Sequence, residues 1–121
     1  MKTVLVVEDN MDNMELITVI LERNGFRAIT AKTGQQGIEI AMESQLDFII
    51  LDIQLPDMDG MSVIRKIRAL KVNGDIPVIA MTSYAMSGDR QNVISAGFNG
   101  YIEKPIEPET VISQIREIIG E

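Results

Sequence analysis

Three four-residue apolar runs constrain this chain more than any other feature: Val4-Leu5-Val6-Val7, Phe48-Ile49-Ile50-Leu51 and Val78-Ile79-Ala80-Met81. They are rich in β-branched residues, bounded by acids, glycine or proline, and lack the apolar–polar alternation of a strand with one wet face. Such runs suit strands covered on both sides. Arg27–Ala31 and Gly100–Ile102 are weaker strand candidates, fitting an edge or a less buried position.

Between these runs the apolar spacing changes to that of helices. Met14, Ile17 and Leu21 share a face, and Asn24-Gly25 supplies a stop signal. Ile38, Ala41 and Met42 repeat the pattern after Thr33-Gly34, as do Val63, Ile64, Ile67 and Leu70 after Asp59-Gly60. Val111, Ile112, Ile115, Ile118 and Ile119 form a broad stripe behind Pro108, which suits a first-turn proline. Ser87–Ala96 differs: Met86, Val93, Ile94 and Ala96 give a narrow stripe closed by Gly97. A helix with so little apolar surface is weakly held.

The order is therefore βα repeated five times, with no linker or internal repeat. Strict alternation through short connections predicts an α/β fold, a parallel sheet wound on both faces by helices. At 121 residues the sheet is open, since an eight-unit barrel needs about twice that length. The natural five-strand order is 2-1-3-4-5, with ligands bound beyond the strand C-termini near the switch between strands 1 and 3. Residues 1–121 read as one domain.

Composition removes whole classes of chemistry. The chain holds no cysteine and no histidine. Thiol and Ser–His–Asp nucleophiles, imidazole ligands and cysteine metal sites are excluded, and the chain cannot carry a phosphohistidine of its own. Eleven basic against 18 acidic residues give a net charge of −7, which disfavours nucleic acid and anionic membrane as partners. No apolar run is long enough to span a membrane, and MKTVLVVEDN reaches acids too early for a signal peptide. A cytoplasmic protein is expected.

The expected crevice is where chemistry collects. Strand 1 runs out into Glu8-Asp9-Asn10, strand 3 into Asp52, strand 4 into Thr82-Ser83 and strand 5 into Glu103-Lys104-Pro105. Glu8, Asp9 and Asp52 should converge, and three carboxylates repel one another unless protons or a cation intervene. An all-oxygen ligand set selects a hard cation; Mg²⁺ is favoured, with Mn²⁺ as the alternative. Thr82 and Lys104 offer a hydroxyl and an ammonium to an anion that also touches the metal. A phosphoryl group fits, with Asp52 as a carboxylate nucleophile.

These residues bring the chain to a family. VLVVEDN, FIILDIQLPDMDG, the MTS after a buried strand and YIEKP stand in order and well spaced. From Thr3 to about Ile119 the chain resembles a response-regulator receiver domain, a flavodoxin-like (βα)5 fold. The stretch from MTSYAMSGDR to AGFNGYIEKPI is similar to receivers of hybrid kinases and of single-domain cell-division regulators. The resemblance implies that Asp52 accepts phosphate from a sensor histidine kinase or histidine phosphotransfer protein. It implies that Glu8, Asp9, Asp52 and the main-chain carbonyl of Gln54 hold Mg²⁺, and that Thr82 and Lys104 grip the phosphoryl oxygens. It further implies Tyr101 as an aromatic switch coupled to Thr82, a cis Lys104–Pro105 peptide, and a responsive face formed by the fourth helix, fifth strand and fifth helix. Such a domain assists its own phosphorylation and dephosphorylation without being a conventional enzyme, and its signal leaves through a protein target. Gln54 and Tyr84 occupy positions where the family varies; a bulky Tyr84 is expected to impede an attacking water.

Each residue also has a plainer reading. Asn10 is a good helix cap, and Asp57, Asp59 and Gly60 read as turn and cap residues rather than ligands. Tyr101 alone is a half-buried edge aromatic. Most of the eight methionines read as core filler, with Met11, Met58 and Met86 near the rim as candidates for a partner surface. Three other functions remain open from the residues. A haloacid-dehalogenase-type phosphohydrolase would need a second acid where Gln54 stands. A flavin carrier would need a phosphate-cradling loop where Glu8-Asp9 would repel phosphate. A receiver that binds its partner without phosphorylation would retain this acceptor set to no purpose.

Overall fold

The computed structural model describes residues 1–83 and 87–121, with the backbone alone at 87–90. Five strands, β1 (Lys2–Val7), β2 (Phe26–Ala31), β3 (Phe48–Asp52), β4 (Val78–Thr82) and β5 (Gly100–Glu103), alternate with five helices, α1 (Met11–Arg23), α2 (Gly34–Glu43), α3 (Gly60–Arg68), α4 (Ser87–Ala96) and α5 (Pro108–Ile119). All pairings are parallel, in the order β2-β1-β3-β4-β5.

Alternate residues of each central strand point to opposite faces, so the apolar runs feed two cores. Val4, Val6, Phe48, Ile50, Ile79 and Met81 pack under α1 and α5, against Ile17, Leu21, Val111 and Ile115. Leu5, Val7, Ile49, Leu51, Val78 and Ala80 pack under α2, α3 and α4, against Ile38, Ala41, Ile64, Ile67 and Val93. All five residues of β3 and of β4 are buried, as expected for runs covered on both sides. The two weaker strands, β2 and β5, are the edges and are partly exposed.

The caps follow the sequence signals. Asn10, Thr33 and Asp59 each accept a hydrogen bond from the backbone three residues on, and Pro108 opens α5. The strands run one or two residues past the apolar runs, because ladder pairing needs no apolar side chain: Lys2 is exposed yet pairs with Phe26, and Asp52 pairs with Met81. The α2 stripe is narrower than its spacing predicts. Met42 is 58% exposed, and Ile38 and Ala41 carry the packing. Gly37 sets that geometry, since a Cβ there would lie 2.8 Å from Val7 Cγ2 and would push α2 off the sheet.

Two polar clamps were not legible beforehand. Asn73 (φ 68°) is buried and accepts from Leu46 N while donating to the Ala41 and Ser44 carbonyls, which ties the end of α2 to the segment before β4. Arg68 ends α3 and donates to the carbonyls of Gly74, Ile76 and Gly97 and to Asn99 Oδ1. It thereby fixes the approaches to β4 and β5. Of α4, Val93 is buried and Ile94 is 48% exposed, in keeping with a thin stripe. Tyr84 and Met86 lie outside the described residues.

Candidate functional site

The sheet register assembles the crevice. Val7 lies beside Leu51, so the next residues, Glu8 and Asp52, fall side by side where both strands end. Glu8 N donates to Ala31 O, which carries the ladder one residue further and anchors Glu8. Asp52 pairs with Met81 and Thr82 with Glu103, so Thr82 and Lys104 follow on the other side of β3. Lys104 N donates to Thr82 O at 2.8 Å, and the Lys104–Pro105 peptide is cis.

Glu8, Asp9 and Asp52 each present a carboxylate oxygen within 4.8 Å of the others. Glu8 and Asp52 are buried while Asp9 is exposed, so the group reaches solvent at Asp9. Lys104 sits directly on the acids as their charge partner. Its Nζ lies 2.8 Å from Glu8 Oε1 and donates to Asp52 Oδ2 at 3.0 Å. The approach to Glu8 sets charge against charge at close range. The physical reason is that two carboxylates cannot be desolvated together without a counter-charge.

The electrostatics follow from burial. Glu8 is pushed up from 4.5 to about 7, chiefly by desolvation and then by its contact with Asp52, with Lys104 pulling the other way. Burial works against the Lys104 ammonium, but Glu8 and Asp52 outweigh it and hold its pKa above the ordinary lysine range. Asp52 Oδ1 accepts from Gln54 N at 3.0 Å, and Asp9 N donates to Glu8 Oε2 at 3.1 Å. Three converging carboxylates, in a chain without imidazole or thiolate ligands, suit a hard divalent cation.

Thr82 is buried at the end of β4. Tyr101 is half-buried on edge strand β5 and packs on the core layer shared by α2, α3 and α4. The rim methionines divide: Met11 is 59% exposed, whereas Met58 is half-buried and packed on the core. Asp57, read from the sequence as a turn residue, reaches a helix far away in the chain, accepting from Gly34 N and Gln35 N at the start of α2. No local signal could have shown this, because its partners lie more than 20 residues earlier.

The chain is similar to known proteins along nearly its whole length. The family described as "Response regulator receiver domain" matches residues 4–116. The polar-differentiation response regulator DivK of Brucella ovis is 36% identical over 120 residues, covering 99% of this chain and 98% of that one. The receiver domain of sensor histidine kinase PA1611 from Pseudomonas aeruginosa PAO1 was solved with a magnesium ion coordinated in its active site cleft. It is 35% identical, with a TM-score of 0.89 and coverage of 99% and 98%. Chemotaxis response regulator CheY4 of Vibrio cholerae shares the fold at a TM-score of 0.93 and 24% identity, with 98% of each chain covered.

Proposed function

Because the chain belongs to the response regulator receiver domain family, the signalling modules of two-component systems, we propose that Asp52 is its phosphoacceptor and that residues 1–121 work as one phosphorylation switch. The observation that carries this reading is the convergence of Glu8, Asp9 and Asp52 with Lys104 laid across two of them. Such a site neutralises a hard cation and an added phosphoryl group together.

In this proposal the donor is a phosphohistidine of a sensor histidine kinase or phosphotransfer protein, since the chain has no histidine. A carboxylate oxygen of Asp52 attacks phosphorus, the P–O bond forms as the P–N bond breaks, and the imidazole leaves with the electron pair. Mg²⁺ would be held by Glu8, Asp9, Asp52 and the main-chain carbonyl of Gln54, with Mn²⁺ as a substitute; bound there, it would neutralise charge on the phosphoryl oxygens. Lys104 then exchanges one of its carboxylate contacts for a phosphoryl oxygen, and Thr82 donates a hydroxyl hydrogen bond. The same chemistry lets the domain assist its own dephosphorylation.

Phosphorylation takes Asp52, at the end of β3 beside β4 and β5, from one negative charge to roughly two at pH 7. A groove lined by Ile94, Tyr101, Lys104, Thr110, Gln114 and Ile118 runs from Lys104 down the face of α4, β5 and α5. A downstream protein target docks there in this reading, with Tyr101 as the side chain that reports Thr82's engagement. A cytoplasmic site of action belongs to this reading, since it fits the donor class.

Incubation with Mg²⁺ and a small acyl phosphate, followed by intact mass measurement, tests the assignment. Wild type gains one phosphate and Asp52→Asn gains none. An adduct that forms without a divalent cation, or that persists in the variant, overturns it.

A further inference from the structure

We infer that Asp57 is a positioning residue for the cation and phosphoryl site, tethering the loop between β3 and α3 to the start of α2. The inference rests on the reading of the Asp52 crevice given above and adds a part that reading does not contain.

That loop, residues 53–59, carries Gln54, whose N–H binds Asp52 and whose carbonyl is the proposed main-chain ligand. Its inner end is fixed within itself: Gly60 N donates to Ile53 O at 2.7 Å, and Gln54 forms an antiparallel bridge with Asp59. Its outer tip, from Leu55 to Met58, has no such ladder. The Asp57 carboxylate supplies the anchor, accepting from Gly34 N at 2.8 Å through Oδ1 and from Gln35 N at 2.9 Å through Oδ2. Both donors belong to the first turn of α2, where helical N–H groups lack intrahelical partners and the helix dipole favours negative charge. The anion held there is thus a side chain of the protein's own loop. Backbone N–H donors hold the Asp57 pKa below the ordinary aspartate value, Gln35's first, with desolvation opposing it and Gly34's donor adding to it.

A second contact holds the same junction sterically. A Cβ on Gly34 would lie 2.5 Å from Met58 Cγ and 2.9 Å from Val63 Cγ2. Glycine at 34 therefore lets Met58 seat over the first turn of α2 while Asp57 caps it. Adjacent residues 57 and 58 close on adjacent residues 34 and 35, one pair by charge and the other by shape. The α2 helix has its own cap as well, Thr33, which accepts from Gln36 N at 3.1 Å. Thr33 precedes the helix, and its hydroxyl caps α2 from within the same segment of chain. Two caps on one helix thus separate helix stability from loop position.

Titration of Mg²⁺ into ¹⁵N-labelled protein, followed by NMR at the amides of the β1 and β3 ends, gives the affinity of wild type, Asp57→Ala, Asp57→Asn and Thr33→Ala. Thermal melts give the stability of each. Asp57→Ala should bind Mg²⁺ about three- to tenfold more weakly, below the ten- to hundredfold typical of groups that bond a ligand directly. Asp57→Asn keeps one accepting oxygen and should fall between. Thr33→Ala should melt earlier with wild-type affinity. Equal Mg²⁺ affinity in Asp57→Ala and Thr33→Ala overturns the inference and leaves Asp57 a helix cap. No Mg²⁺ response in wild type overturns the reading of the crevice, and this inference with it.

Discussion

Between about pH 5.5 and pH 7.5 the stability of this protein should fall, and Glu8 should account for the fall. No histidine is present, so no side chain has an ordinary pKa in that window and the background is unusually flat. Glu8 is fully buried and shifted from 4.5 to about 7. Above pH 4.5 the unfolded chain releases this proton while the folded protein keeps it, so the folded state binds more protons and stability declines as pH rises. The decline runs through the folded value near 7 and then levels off. Integrating the two titrations gives a loss of about 2 kcal/mol over the window, or about 8 °C in melting temperature for a domain of this size. Circular dichroism melts in EDTA at constant ionic strength measure it. Glu8→Gln should flatten the curve. Mg²⁺ should raise the melting temperature more at pH 7.5 than at pH 5.5, because protons compete for the oxygens of Glu8. A flat wild-type profile, or a slope that survives in Glu8→Gln, would refute the burial argument for this carboxylate.

Two further predictions concern the clamps around the site. Lys104→Met leaves Glu8 and Asp52 buried without their cation and should cost about 3 kcal/mol at pH 8; in urea melts the cost should shrink below pH 6, where Glu8 holds its proton, and an equal cost at both pH values would contradict the pairing. Arg68→Lys cannot span the Gly74, Ile76 and Gly97 carbonyls with one ammonium, and should lose about 2 kcal/mol in urea melts with no change in acyl-phosphate labelling. Impaired labelling would show that this clamp reaches the crevice.

Local pattern made the architecture and the identity of the acids legible. The runs VLVV, FIIL and VIAM suit strands buried on both faces, and the caps at Asn10, Thr33 and Asp59 are satisfied within three residues of chain. Periodicity and capping depend on near neighbours, so one dimension holds that information. Residues at the C-terminal ends of adjacent parallel strands meet, which is why strand order alone brings Glu8, Asp9 and Asp52 together.

What tertiary structure decided is everything set by contacts across the chain. The spacing that placed Met42 in the α2 stripe could not show that Gly37 seats this helix so close to Val7 that Ile38 and Ala41 suffice. Asp57 looked like a turn residue because turn propensity is local, whereas its partners at residues 34 and 35 are set by how α2 lies beside the loop. The seat of Lys104 directly on Glu8 and Asp52 follows from desolvation. A charge's burial belongs to the folded molecule as a whole, and no stretch of sequence carries it.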